Sequence, residues 1–533
     1  MPVPDQNPSA SGGSARPAAG STRADERAER AADELEMGLE PPGAEDIAVV
    51  PWSLVLRRRV GGRIDRSPRG PWIVLAASLL VVFTASFTIT VLTVSLPEIA
   101  DDLGSTASVL TWAITGPSLA MAVLGPIAGK LSDRLGARPV YLVSMIGVVV
   151  FSAAAVVAWD AYSLIVFRFL GAATGAAAGP SALAMINRSF PPARRAQAMG
   201  YWSLVVAGAP VLGVVIGGPL LDGYGWRWIF VLQTPVAIAA LLIGFLVLPD
   251  TERGERVRFD VMGSVLLALG VGSLLLALNR GPESGWTSPL VLGGFLLTPL
   301  LLWWFVRTEN RVAHPLLPMR YFRQRNFSFP FATLFLANFT YMGGFILTPL
   351  LLSDLLDFST TKTGLASIVR PAAYSIVGPI AGYLAVKWGE RTIGVAGGLF
   401  LAASMMGMAA VGTGTGLWWI EISLALSGVG MGAVAPSMIA SVANTVDGRD
   451  LGVASAASQT TSQIGAVAGM QILLTVQAAT VATQGDRSYA TAYMVGTAVA
   501  LTAAVTAFFV RRSDFGALEA ADAADDGPAG ARA

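Results

Sequence analysis

Fourteen separate stretches of about twenty largely apolar residues punctuate this chain. A helix of that length crosses a ~30 Å hydrocarbon layer, where backbone N–H and C=O groups find no partners but one another. The stretches fall at roughly 72–95, 108–129, 139–159, 162–185, 199–221, 228–248, 261–280, 289–306, 327–352, 361–386, 392–412, 418–441, 452–476 and 490–510. Charge agrees with this reading. Only 13% of the residues are charged and 53% are hydrophobic, whereas a soluble chain carries about 25% charged residues. An all-α polytopic membrane protein is the expected fold class.

The connectors set an orientation. If the N-terminus lies in the cytoplasm, one side of the bilayer collects twenty-five Arg and Lys residues, and the other side only Arg227, Arg280, Lys362 and Arg487. Basic residues gather on the cytoplasmic side of inserted helices, and a missed or extra span would scramble the bias downstream. A multi-pass protein of the cell (inner) membrane with both termini cytoplasmic is therefore expected. The ends differ from the middle. Residues 1–70 read as a disordered tail ending in a basic juxtamembrane segment with Arg57, Arg58 and Arg59; residues 513–533 are Ala- and Asp-rich and read the same way. The basic segment suits either attachment to anionic headgroups or ordinary orientation of the first span.

Several chemistries drop out. The chain has no cysteine and one histidine, His314, so thiolate or histidine metal sites and a Cys or Ser-His nucleophile have no donors. A net charge of +1 offers no field for nucleic acid. No GxxxxGK[ST] loop is present for a nucleotide. Neither an enzyme, nor a metal, nor a cofactor is expected; the partners are the lipid bilayer and a small molecule.

The chain also contains a duplication. "LGPIAGKL" at 124–131 returns as "VGPIAGYL" at 377–384, and "GKLSDRLGAR" (129–138) continues in parallel with "GYLAVKWGER" (382–391). Gly129, Arg134, Gly136 and Arg138 thereby match Gly382, Lys387, Gly389 and Arg391. Each copy closes the second helix of a six-helix block, and two further spans lie between the blocks. Parallel repeats of this kind build alternating-access carriers. The expected division is 71–250 for the first six-helix bundle, 251–325 for two inserted helices and a cytoplasmic loop, and 326–512 for the second bundle.

At these residues the chain resembles the major facilitator superfamily, in particular its fourteen-span drug:proton antiporters. "GKLSDRLGAR" is similar to the family's loop between helices 2 and 3, carried by Gly129, Asp133, Arg134, Gly136 and Arg138. "WRWIF" (226–230), "FDVMGSVLLALGVGSLLLAL" (259–278) and "HPLLPMRYF" (314–322) resemble features of the fourteen-span group. The resemblance implies a major facilitator fold of two six-helix bundles plus two inserted helices. It also implies that Asp133 clamps the halves together and releases during the cycle. Read alone, Asp133 is an exposed cap of the third helix. "AGAPVLGVVIGG" (207–218) resembles the antiporter motif of the fifth helix through Pro210, Gly213, Gly217 and Gly218, although Val214 stands where the family has proline. Gly213 and Gly217 share one face and suit close helix packing.

Polar residues at membrane depth are candidates for the path. Arg168 in the fourth span lines a cavity or bonds backbone carbonyls. Arg370 in the tenth either reaches Asp354, Asp357 or Glu421, or meets an anionic group on the substrate. Ser455, Ser458, Gln459, Ser462 and Gln463 share one face of the thirteenth span, lining the path or joining the halves. Asn338 and Tyr341 in the ninth are further candidates. The family's helix 1 pattern has an aspartate where this chain has Thr88, so the expected coupling ion, the proton, lacks its usual carrier there. The expected function is secondary active, proton-coupled efflux of amphipathic drugs or a toxic metabolite by a functional monomer. A selective carrier of an anionic or lipid-like metabolite and a non-transporting sensor are the alternatives.

Overall fold

The structure is a computed structural model that describes residues 67–110, 112–249, 260–312, 315, 317–358 and 360–511. All of them belong to one compact unit, Arg57–Ala533. The N-terminal tail, the basic loop 250–259, His314 and the C-terminal tail lie outside the described residues. No strand occurs among the described residues. The long helices run α1 (Gly70–Val94), α2 (Trp112–Leu135), α3 (Ala137–Val156), α4 (Ala161–Ser189, broken at Ala176 and Ala177), α5 (Pro192–Tyr224), α6 (Trp228–Val247), α7 (Val261–Ser284) and α8 (Pro289–Glu309). They continue as α9 (Arg325–Leu356), α10 (Thr360–Trp388), α11 (Glu390–Ala409), α12 (Leu417–Ala443), α13 (Leu451–Gln484) and α14 (Arg487–Phe508).

Among the described residues, eleven of these helices are long and apolar enough to span a membrane. The other three are α1, where the described apolar run is Gly70–Thr84, α5, and α10, which has 29 residues but carries Lys362, Arg370 and Lys387. Parts of α1 and α5 lie outside the described side chains, so the expected fourteen is neither reached nor excluded.

The duplication is built into the backbone. Gly136 turns the chain between α2 and α3 at φ 93°, and Gly389 turns it between α10 and α11 at φ 88°, a region that side chains avoid and glycine enters freely. After each turn an arginine reaches the far end of a neighbouring helix. Arg138 donates to the Phe245 carbonyl at 2.7 Å and lies 5.5 Å from that ring's centre; Arg391 lies 3.9 Å from the centre of the Phe508 ring. These two arginines do the same job in the two repeats, at the ends of α6 and α14.

The halves meet along two seams, α2 against α13 and α5 against α10. Glycine makes both possible. A Cβ on Gly129 would sit 2.6 Å from the Gly452 carbonyl oxygen and from Ala456 Cβ, and one on Gly200 would sit 2.6 Å from the Gly378 oxygen. Gly382 is pressed in the same way against the Ala196 carbonyl. Both seams are therefore shut at the end that carries the repeated motif. Gly382→Val should force α5 and α10 apart there. In this cysteine-free chain, a thiol introduced at the buried Ser203 should then change from unreactive to readily labelled by a small membrane-permeant maleimide; unchanged protection would refute the tight contact.

The inserted pair packs on itself, and α7 also lies against both α2 and α13. At the opposite end of the molecule, Trp226 Nε1 and Arg227 Nη1 donate to Asp102 Oδ2 at 3.0 and 2.6 Å. Those bonds hold the Asp102 carboxyl below its ordinary range and fasten the α1–α2 connection to the start of α6. The link persists above the usual carboxylate range and is lost as pH falls through the lowered value. The "WRWIF" string thus earns its place as an anchor for a loop.

Candidate functional site

The motif end of the structure is organised around one carboxylate. Asp133 lies inside α2, not ahead of α3, whose own cap is Gly136. Its side chain is buried, 5% exposed, and it points across the seam. Oδ1 accepts from Gly452 N at 2.9 Å and Oδ2 from Val453 N at 2.8 Å. It therefore caps the first turn of α13, in the other half, 319 residues along the chain. Those N–H groups have no partners within their own helix, and the helix dipole adds attraction for the negative charge. Arg188, at the end of α4, completes the knot: Nη2 lies 2.9 Å from Asp133 Oδ1 and 3.2 Å from the Gly448 carbonyl.

A second layer flanks this cap. Lys130 Nζ is 3.8 Å from Asp450 Oδ1. Asp450 also accepts from the Tyr321 hydroxyl at 2.9 Å, and Arg320 pairs with Asp447 at 2.7 Å. On the other seam the roles are redistributed, because Val386 stands where a repeat of Asp133 would fall. There Arg195 of α5 donates to the Asn187 carbonyl, the Ala443 carbonyl and Asn444 Oδ1 at 2.9, 3.0 and 3.2 Å. Asn444 Nδ2 in turn lies 3.3 Å from the buried Glu390. One seam thus closes on a carboxylate capping a helix, the other on an arginine capping the end of α12.

A family model described as the Major Facilitator Superfamily matches residues 78–470 of this chain. The chain belongs to the Major Facilitator Superfamily. It is 31% identical over 405 residues to the tetracenomycin C resistance and export protein of Streptomyces glaucescens, covering 76% of this chain and 75% of that protein. Identity to the multidrug resistance protein B homolog of Mycobacterium tuberculosis (strain H37Rv) is 30% over 448 residues, 81% and 82% of the two chains. To the multidrug export protein EmrB of Escherichia coli K12 it is 32% over 327 residues, 60% and 63%. Two solved folds are similar: the human organic anion transporter MFSD10 (TETRAN), with TM-score 0.59 at 15% identity over 83% of this chain and 100% of that one, and a double-tryptophan mutant of XylE, with TM-score 0.61 at 14% identity over 85% and 98%. The chain is thus a multi-pass membrane transporter with the major facilitator fold.

Within that fold the remaining candidates divide. Gly129, Asp133, Gly136 and Arg138 converge on the knot or its turn, while Arg134 is half-exposed beside them. Gly382, Gly389 and Arg391 occupy the matching places on α10 and α11, with Lys387 exposed at the end of α10. Pro210 and Gly213 lie in α5, Gly213 buried; what Gly217 and Gly218 pack against falls outside the described residues. Gln459 lies at the α2–α13 side with its Oε1 3.1 Å from the point a Cβ on Gly179 of α4 would occupy, and its Nε2 is buried without a partner. Gln463 and Glu421 are half-buried on α13 and α12.

The two arginines at depth are held by uncharged groups. Arg168 Nε donates to the Ala113 carbonyl at 3.2 Å, with its guanidinium 5.9 Å from the Phe230 ring centre. Arg370 is 1% exposed. It donates to the Tyr341 carbonyl and the Thr348 hydroxyl, both at 3.3 Å, and its Nε is buried without a partner. Its outward reach to Asp354, Asp357 or Glu421 does not occur; Asp354 accepts instead from the Tyr489 hydroxyl at 2.5 Å. The side chain points among α9, α11 and α14, beside Gly344, Met405 and Tyr493. Asn338 bonds its own helix at the Leu334 carbonyl, and Thr88 does the same at Thr84.

Sequence reasoning missed Arg188, Arg195, Asn444 and Gly452. Arg188 and Arg195 have one local signal, the "NRSFPPARR" run of 187–195, which reads as a basic loop until the fold brings it to the α12–α13 connection; Asn444 and Gly452 have none.

Proposed function

We propose that this chain is a proton-coupled exporter of amphipathic drugs or of a toxic metabolite, working as a monomer by alternating access in the cell membrane. Fourteen spans cross the bilayer, with both termini cytoplasmic. Residues 71–250 and 326–512 form the rocking bundles, and 251–325 supply the inserted pair and its loop. The motif end is then the cytoplasmic end, and the state described is closed to the cytoplasm. The observation that carries the reading is Asp133 capping α13 across the seam. A bond between halves that must break for the path to open is what a clamp requires. The names of the similar bacterial proteins, which speak of multidrug or antibiotic export and resistance, support efflux as its direction.

Substrate would meet an apolar path with few polar anchors, among them Gln459 and Gln463, which favours loose recognition of varied ligands. The buried orientation of Arg370 counts against the selective anion carrier, since its guanidinium turns into the second bundle. No nucleotide motif is present, so the drive is an ion gradient. With Thr88 in the first helix, the proton must be carried elsewhere; Asp133 of α2 and Glu421 of α12 are the candidates for it. In proteoliposomes, an imposed pH gradient should accelerate efflux of ethidium severalfold over the same protein without one. Equal rates with and without the gradient would remove proton coupling.

A further inference from the structure

We infer that the outer face of the α5–α10 seam, at the motif end, holds the phosphate of one anionic phospholipid, which clasps the two halves together from outside. The clasp, though not the binding site, rests on the alternating-access reading. Three helices form the site. Rings run edge to edge from α1 across α5 to α10: Trp72 lies 5.4 Å from Tyr201, and Tyr201 lies 6.4 Å from Tyr383, centre to centre. The two tyrosine hydroxyls, one from each half, are 3.4 Å apart. Beside them the seam is shut, by Gly200 against the Gly378 carbonyl and Gly382 against the Ala196 carbonyl. Tyr383 is nonetheless 45% exposed, so it opens outward to the bilayer and not to the path. Trp72 stands in the first turn of α1, and Trp and Tyr gathered at the end of a span sit at headgroup depth.

The donors at this place are unspent. Two phenols in contact use one O–H between them, which leaves one hydroxyl hydrogen for an acceptor outside the protein. Arg194 is exposed in the first turn of α5, seven residues ahead of Tyr201 and on the same helical face. Its charge acts on the Tyr383 hydroxyl across the seam. The neighbouring Arg195 spends its guanidinium on two carbonyls and Asn444; that of Arg194 meets no acceptor among the described residues. A cation and a free O–H at headgroup depth, between helices, suit a phosphate. Choline headgroups carry the same phosphate but set their own cation against Arg194, so a net negative headgroup is preferred. Away from the motif end the surface turns aliphatic. Ile380 and Ile376, three and seven residues before Tyr383, continue its face of α10 and are 51% and 63% exposed. Donors at the rim with an apolar ridge running from them into the bilayer fit a lipid and not a soluble phosphate. Tyr201 belongs to one half and Tyr383 to the other, so a phosphate bonded at both loses a partner when the halves part. Bound lipid therefore favours the state closed at the motif end.

Native mass spectrometry of the purified protein, titrated with phosphatidylglycerol or phosphatidylcholine, reads the site. The parent should retain one phosphatidylglycerol under conditions that strip phosphatidylcholine, and Arg194→Gln with Tyr383→Phe should weaken that retention at least tenfold. Arg307→Gln is the control. Arg307 lies 5.5 Å from the centre of the exposed Trp303 ring at the motif end of α8, a cation and an aromatic without the paired hydroxyls, and its loss should change retention less than twofold. Equal retention of the two lipids, an unchanged double variant or an equal loss in the control would overturn the site. So would displacement of the lipid by a hundredfold excess of glycerol 3-phosphate, which lacks the chains that lie on Ile380 and Ile376. If the double variant fails to fold, Tyr383→Phe alone, which keeps the ring, should weaken retention severalfold, and no change there overturns the proposal. For the clasp, spin labels on Leu131 and Trp388, in vesicles under a pH gradient, should report the motif end open less often in phosphatidylglycerol than in phosphatidylcholine, a difference that the double variant abolishes. Opening that ignores the lipid in a parent that retains it would overturn the clasp. A parent that opens in neither lipid would count against alternating access, and retention, read on the protein at rest, then judges the site.

Discussion

Asp133→Asn should lower transport by one to two orders of magnitude while leaving the protein folded and inserted. The carboxylate accepts from two backbone N–H groups and Arg188 at 2.8–2.9 Å. Asparagine keeps one acceptor, brings an amide N–H₂ toward donors that need an acceptor, and removes the charge that draws both Arg188 and the helix end. Bonds to charged groups contribute about 1.5–3 kcal/mol, and each ~1.4 kcal/mol is a tenfold change in the ratio of two states. The state closed at the motif end should lose that much ground to its rival, so a carrier that must visit both slows down. Uptake and efflux assays on purified, correctly inserted protein decide it. Transport at the parental rate would reduce Asp133 to an ordinary cap.

Arg370→Met should make the protein more heat-stable and a poorer transporter. An arginine at the centre of a membrane helix costs about 2.5–3.5 kcal/mol on insertion scales, and among the described residues no carboxylate pairs with Arg370. Its two hydrogen bonds are long, 3.3 Å each, so they return less than the 1.5–3 kcal/mol of a well-formed bond to a charged group, about 1 kcal/mol each. Methionine keeps most of the volume and ends the imbalance, a net gain of about 1 kcal/mol, which in a chain of 533 residues raises the melting point by about 1 °C. A residue retained at such a cost marks function by default. Its bonds to Tyr341 and Thr348 span two turns of α9, across Gly343 and Gly344, so it sets the shape of that helix. Transport should fall severalfold without loss of protein. A lower melting temperature would assign Arg370 to structure alone.

Much of the architecture was legible in the chain because its cause is local. Twenty apolar residues in a row have few places to go, and "GPIAG" written twice announces a duplicated half. The glycines at 136 and 389 could be anticipated as turns. The cap of α13 could not, since Asp133 and Gly452 share no sequence pattern and the fold alone makes them neighbours. Read by itself, Asp133 belonged to the next helix; in the structure it serves a helix of the other half. Arg370 misled for a related reason. Its nearest acids along the chain, Asp354 and Asp357, sit at the end of α9, whereas the side chain turns inward to a carbonyl and a hydroxyl. Helix rotation decides that choice, and a nearly uniform apolar helix gives little sign of its rotation.

The account stands on the two halves separating at the motif end around a broken Asp133 cap. Spin labels on Leu131 of α2 and Trp388 of α10, both exposed there, measure that separation directly by pulsed electron resonance. Under a pH gradient with substrate present, a second, longer distance should appear, and Asp133→Asn should populate it without either. One short distance under all conditions, in protein that is transporting, would contradict the account.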